Sequence, residues 1–241
     1  MKRLRPSLLP VIDAFRGDQL KPTIVLSTSV LLMLTWKYFG SPETYRDHLA
    51  SWLPAGANEA AGAAAYSFVA AFLLLGVVPV LIVKLAFRER LADYGVQGGD
   101  RRGTILSFLI LAPCFMLVAY LSSGDPAIRA EYPVNRSAGL SPPMFAFHAC
   151  TYALYYLGWE FHFRGFLQFG LRGKLGDVNA LWVQVMASSL LHIGKPSMET
   201  FGAIAGGVLW GALAYRTRSL LSGLLQHFLL GITLDWCICY L

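Results

Sequence analysis

The chain has 241 residues, of which 56% are apolar and only 14% charged, with a mean hydropathy of +0.52. A soluble domain of this size needs more charge to cover its surface, so the composition excludes one and specifies a membrane protein. The net charge of +6 is modest and spread over short connections, which points to membrane orientation and away from nucleic acid.

A spanning helix needs about 20 mostly apolar residues, and by that rule the sequence predicts seven. They run over 22–39, 63–87 with a kink at Pro79, 104–121, 142–171, 177–193, 199–215 and 220–241. The first is preceded by 1–21, which holds five Lys or Arg and reads as a cytoplasmic tail, not a signal peptide. The segment 41–60 reads as an outside loop with a short interfacial helix around 45–52. The fourth run is too long to span untilted. The last four are joined by only a few residues, which makes neighbours antiparallel and close. Gly202–Gly206 and Gly207–Gly211 are both GxxxG pairs, suited to tight helix packing.

Loop charge gives the orientation. The tail and the 84–103 connection carry five Lys or Arg each, followed by Arg172 with Lys174 and Arg216 with Arg218. The alternate connections carry only Arg46, then Arg129 with Arg136, then Lys195. This alternation fits an inside N-terminus and seven spans. The expected organisation is therefore all-α, a polytopic transmembrane bundle with a cytoplasmic tail (1–21), N-terminal helices (22–141) and a catalytic-type core (142–241). Cys114, Cys150, Cys237 and Cys239 lack CxxC spacing, so no disulfide framework or zinc ribbon is indicated.

Within that core, Glu160 and Arg164 stand four residues apart, on one face of a helix with the acid on the favourable N-terminal side. Charges at membrane depth are costly and mark functional sites or interior pairs. By rise per residue, Glu160 lies about 16 Å from the inner end of its helix, His227 about 12 Å and His192 about 22 Å. A carboxylate near one imidazole can deprotonate a water, while a second imidazole donates to a developing oxyanion. Two His and a Glu with an open position are also a zinc donor set, with Glu160, His192 and His227 as its ligands, although no HExxH spacing specifies it. His162 falls about 200° around the helix from Glu160 and faces elsewhere. His48 and His148 read as peripheral.

The order WEFHFRG, SSLLHIGKP and GGVLWGALAYRTRSLLSGLLQH resembles the CPBP intramembrane proteases, also called the Abi or CAAX-protease family; LADYGVQ is similar to a further segment of it. The resemblance covers about 91–231. It implies a helical bundle around a catalytic cavity and proteolysis of membrane-anchored or prenylated segments. It maps Glu160 and Arg164 onto the second Glu and the Arg of EExxxR, His192 onto the motif-two His and His227 onto the His of HxxxN. Two positions depart: Trp159 replaces the first Glu, and Gly231 the closing Asn. Glu160 itself or Glu199, folded back by a break at Gly194-Lys195-Pro196, is then the candidate base, and Asp235 the substitute for the Asn.

The expected activity is intramembrane peptide hydrolysis, with a membrane-anchored peptide or protein as substrate, no nucleic-acid partner, and the bacterial inner membrane as its location. Glu160 activates water, His192 orients it, His227 stabilises the oxyanion and Arg164 keeps Glu160 ionised; no cofactor is specified beyond the zinc alternative. The rivals are a non-catalytic scaffold or immunity protein in the same cavity and a small proton-coupled transporter, against which the absence of inverted repeats argues.

Overall fold

The computed structural model describes residues 15–52 and 58–241, so most of the expected tail lies outside the described residues. Helices dominate throughout: α1 (Leu20–Phe39), α2 (Pro42–His48), α3 (Glu59–Phe87), α4 (Arg101–Ser122), α5 (Pro126–Glu131), α6 (Pro142–Glu160), α7 (Gly170–Leu190), α8 (Ser197–Thr217) and α9 (Leu221–Tyr240). Among the described residues there is no strand. Every expected apolar run is a helix, with ends shifted by a few residues.

The helix starts follow capping chemistry. Asn58, Asp100, Asp125 and Ser141 each accept a hydrogen bond from a backbone N–H in the first turn of α3, α4, α5 and α6. Pro142 and Pro143 then occupy first-turn positions that need no N–H donor. From Phe161 to Phe169 the helix continues as a π-helical stretch, which carries the run begun by α6 into α7. Gly176, at φ 75°, breaks α7 internally, separating the end of the fourth expected run from the start of the fifth. His192 lies just beyond the end of α7, in a turn rather than on the helix.

Alternate connections meet at opposite ends of the bundle. At the basic end Lys21 pairs with Glu89 at 2.7 Å, Asp100 N donates to Thr217 O and Leu220 N donates to Gly95 O. At the other end Ser137 donates to Asn58, and Tyr132 donates to Glu199. Among the described residues three helices, α3, α4 and α9, are long and apolar enough to cross a membrane, and a fourth span joins them if the bent pair Gly17–Phe39 and Pro42–His48 counts as one. The chain is thus an integral membrane protein, all-helical among the described residues, with three or four candidate spans there.

Close helix contact surrounds the site. A Cβ on Gly158 would stand 2.7 Å from Ala71 O, so α3 crosses α6 against bare backbone, two residues before Glu160. Of the two GxxxG pairs, Gly207–Gly211 is the one that packs. Gln184 and Gln168 donate side-chain hydrogen bonds to the carbonyls of Gly207 and Gly211 at 2.9 and 2.8 Å. Gly202, by contrast, faces open space.

Candidate active site

The polar residues of α6 recur every fourth position: His148, Tyr152, Tyr156 and Glu160, followed by Arg164 in the π stretch. On α9 the same spacing gives Gly223, His227, Gly231 and Asp235. Rows at i±4 form the ridges by which helices interdigitate, and here two such rows face each other.

At the centre of this seam His227 Nδ1 lies 2.8 Å from Glu160 Oε1, and Arg164 Nη1 lies 3.2 Å from the same oxygen. Glu160 and Arg164 are buried, at 1% and 2% exposure, while the His227 side chain keeps 16%. Glu160 Oε2 is buried and, among the described residues, has no hydrogen-bond partner, which makes it the free acceptor of the cluster. A Cβ on Gly223 would come within 2.8 Å of that oxygen, so the glycine leaves the carboxylate its space. Trp210 stacks on the His227 ring at 4.1 Å and lies 5.6 Å from the Arg164 guanidinium. Its indole N–H donates to Gln226 at 3.3 Å. Buried on both sides by aromatic rings, the acid, imidazole and guanidinium interact in a low dielectric, where such contacts are strong.

The other expected residues fall into three places. His192 bonds Ser188 O through Nδ1 at 2.8 Å and meets the edge of Trp159, 5.6 Å away, so it approaches α6 one residue before Glu160 without bonding the carboxylate. Glu199 is held at the far end of the bundle: Tyr132 donates to it at 2.6 Å, and Lys195 sits 3.5 Å away and also donates to the Tyr132 hydroxyl. Burial, together with the Glu199 carboxylate, raises the Tyr132 hydroxyl well above its usual value, so it stays a donor. Asp235 bonds His148 Nε2 at 2.7 Å, with both residues at 0% exposure. The reading of His148 as peripheral is therefore corrected: the i+4 row turns it into the bundle interior, where Asp235 meets it.

Trp159 is also interior, packed against Trp36, Tyr155, Phe163 and His192. A second carboxylate at this position would sit among rings. His162 is buried against Phe163 and Phe166, with no partner for either ring nitrogen among the described residues, and shares no contact with the Glu160 cluster. His48 is exposed. No group of three or more His, Cys, Asp or Glu side chains placed to hold a metal occurs among the described residues: Glu160 and His227 converge, and His192 stands apart.

The arrangement defines a class first, a helical membrane protein with a buried carboxylate–imidazole pair backed by an arginine. Residues 141–233 match the family model described as Type II CAAX prenyl endopeptidase Rce1-like, so this segment of the chain is similar to the CAAX-type intramembrane proteases. The matched segment runs from the N-cap of α6 into α9 and contains Glu160, Arg164, His192 and His227. Comparison with curated proteins and with solved structures found no match.

Proposed function

We propose that the chain is an intramembrane peptidase that cuts a membrane-anchored segment, prenylated or carrying a sorting signal, in a bacterial inner membrane that it spans seven times with its N-terminus inside. The observation that carries the reading is the buried Glu160–His227 pair, 2.8 Å apart and sharing Arg164, inside the segment matched to a peptidase family.

The contact bears on the division of labour. A carboxylate that accepts from Nδ1–H fixes the imidazole tautomer and leaves the Nε2 lone pair free to take a proton. His227 is then the base and Glu160 its orienting partner, instead of Glu160 acting alone. Water attacks the peptide carbonyl carbon as Nε2 takes its proton, and Glu160 stabilises the imidazolium. The tetrahedral intermediate collapses, the C–N bond breaks, and Nε2 returns the proton to the departing amine. Arg164 keeps Glu160 ionised, since an isolated carboxylate is costly at this depth. His192, bonded to Ser188 through Nδ1, has its other nitrogen for orienting the water.

A second reading has its own observation. Trp159 and Gly231 stand where the resembled motifs carry an acid and an Asn, and a scaffold that binds anchored peptides would need neither. The two are separated with the full chain in proteoliposomes and farnesylated and unmodified membrane-anchored peptides, followed by mass spectrometry. Hydrolysis that disappears in Glu160→Gln and His227→Ala supports the peptidase; peptides bound and released intact by the wild type overturn it. Chelation followed by zinc add-back checks the metal alternative, which predicts lost and restored cleavage.

A further inference from the structure

Amide hydrolysis requires a donor for the carbonyl oxygen as it becomes an oxyanion, and removing one such donor costs about 10²–10³-fold in kcat. His227 is committed to Glu160 at one nitrogen and to proton transfer at the other, and Arg164, whose Nε and Nη1 have no hydrogen-bond partner among the described residues, is held on the Glu160 carboxylate by its charge at 3.2 Å; an oxyanion donor that leaves this ion pair undisturbed has to come from elsewhere. The seam supplies one from outside the motifs. Tyr156 lies one helical turn before Glu160 on the same row, and its ring meets the His227 ring edge-on at 4.7 Å. Its hydroxyl lies 3.0 Å from the Tyr152 hydroxyl, a neutral contact that a rotating O–H can exchange for a better acceptor.

Position 231 shows that this placement is built. A Cβ there would stand 2.0 Å from the Tyr156 hydroxyl oxygen and 2.9 Å from the ring carbon bearing it, so the phenol occupies the space that a side chain on α9 would fill. Only glycine at 231 leaves room for the Tyr156 phenol, whose ring meets His227. The side chain missing from α9 has been replaced across the interface by one from α6.

We infer that Tyr156 is a catalytic residue whose hydroxyl donates to the oxyanion, in the space opened by Gly231. The inference rests on the peptidase reading. The phenol keeps its proton throughout: it hydrogen-bonds the carbonyl oxygen while water adds, and returns to Tyr152 when the intermediate collapses. Tyr152 is the positioning residue, holding the hydroxyl when no substrate is present.

The test is steady-state hydrolysis of the same anchored peptides by the full chain in proteoliposomes. Tyr156→Phe should lower kcat about 100-fold and change KM by less than about twofold, because the donor acts on the transition state and the ring remains to pack. In the Tyr156→Ala, Gly231→Asn double variant, the amide of an Asn takes the vacated space, and a recovery of at least about tenfold over Tyr156→Ala alone is expected. A merely structural role predicts no such recovery and a fall in folded protein instead of kcat. Wild-type kcat in Tyr156→Phe, or the absence of recovery in the double variant, overturns the inference while leaving the peptidase intact. A wild-type chain that cuts none of the peptides overturns both.

Discussion

Two carboxylate–imidazole pairs join α6 to α9, about three helical turns apart along α6 and two along α9, and they differ in ways that separate chemistry from architecture. Glu160–His227 and His148–Asp235 have nearly the same length, 2.8 and 2.7 Å. The first shares its acid with Arg164, stacks its imidazole on Trp210 and leaves that imidazole partly open. The second is sealed at 0% exposure, and no arginine or lysine pairs with its acid among the described residues. A base needs a route for water and a third group to balance charge through the reaction; a latch needs neither. Residue types alone do not distinguish the two pairs. Access and the third charge do.

Breaking each pair sharpens this contrast. The largest effect is expected from Glu160→Gln, which should lower kcat roughly 10³-fold by removing the group that orients and charges His227. Asp235→Asn, an equally small change in the sealed pair, should leave kcat per folded molecule within about threefold under the same assay. Equal losses from both would erase the distinction. Next in size, Asp235→Ala leaves His148 buried without its acid, and thermal unfolding in micelles should show a destabilisation on the order of 3 kcal/mol. Gly231→Ala drives a methyl into Tyr156, and overpacking of this kind costs about 1–3 kcal/mol, read in the same unfolding assay.

The smallest expected effect lies outside the membrane, at the basic end. Burial pushes the Glu89 carboxyl up, but hydrogen bonds from Lys21 and Tyr94 outweigh it and leave the carboxyl below its usual value of 4.5. A carboxyl depressed in the folded state contributes stability above its unfolded pKa and loses that contribution as pH falls through the folded value. Acidification below about pH 4.5 should therefore loosen the Lys21–Glu89 contact, and Glu89→Gln should flatten that part of the stability profile. Both partners are more than a third exposed, so solvent screening keeps the change under about 1 kcal/mol.

The helices were legible because the bilayer sets their length: the apolar runs at 22–39, 104–121 and 220–241 became α1, α4 and α9 with little change. The Glu160–Arg164 pair was legible from its spacing, and His227 from its depth. The partnership of His148 with Asp235 was not, because 87 residues separate them. The spacing 148, 152, 156, 160, 164 was nevertheless present in the sequence, and reading the whole row would have turned His148 inward. Tyr156 was hidden for another reason: aromatic residues at helical spacing usually mean core packing, and only the bare backbone at 231 distinguishes this one. The π-helical stretch after Glu160 depends on how the chain packs and leaves no periodic mark in so apolar a segment.

The two pairs are also crossed: α6 contributes the acid at one and the imidazole at the other, and α9 the reverse. A slip of α9 by one turn, about 5.4 Å, would carry both acids away from their imidazoles at once. Each would then face a tyrosine or a glycine in a medium that tolerates no stray charge. The crossed pairs thus proof-read the assembly of the two helices. Disulfide trapping between cysteines introduced along α6 and α9 should find a single alignment in the native chain. It should find a mixture once His148 and Asp235 are both replaced by leucine.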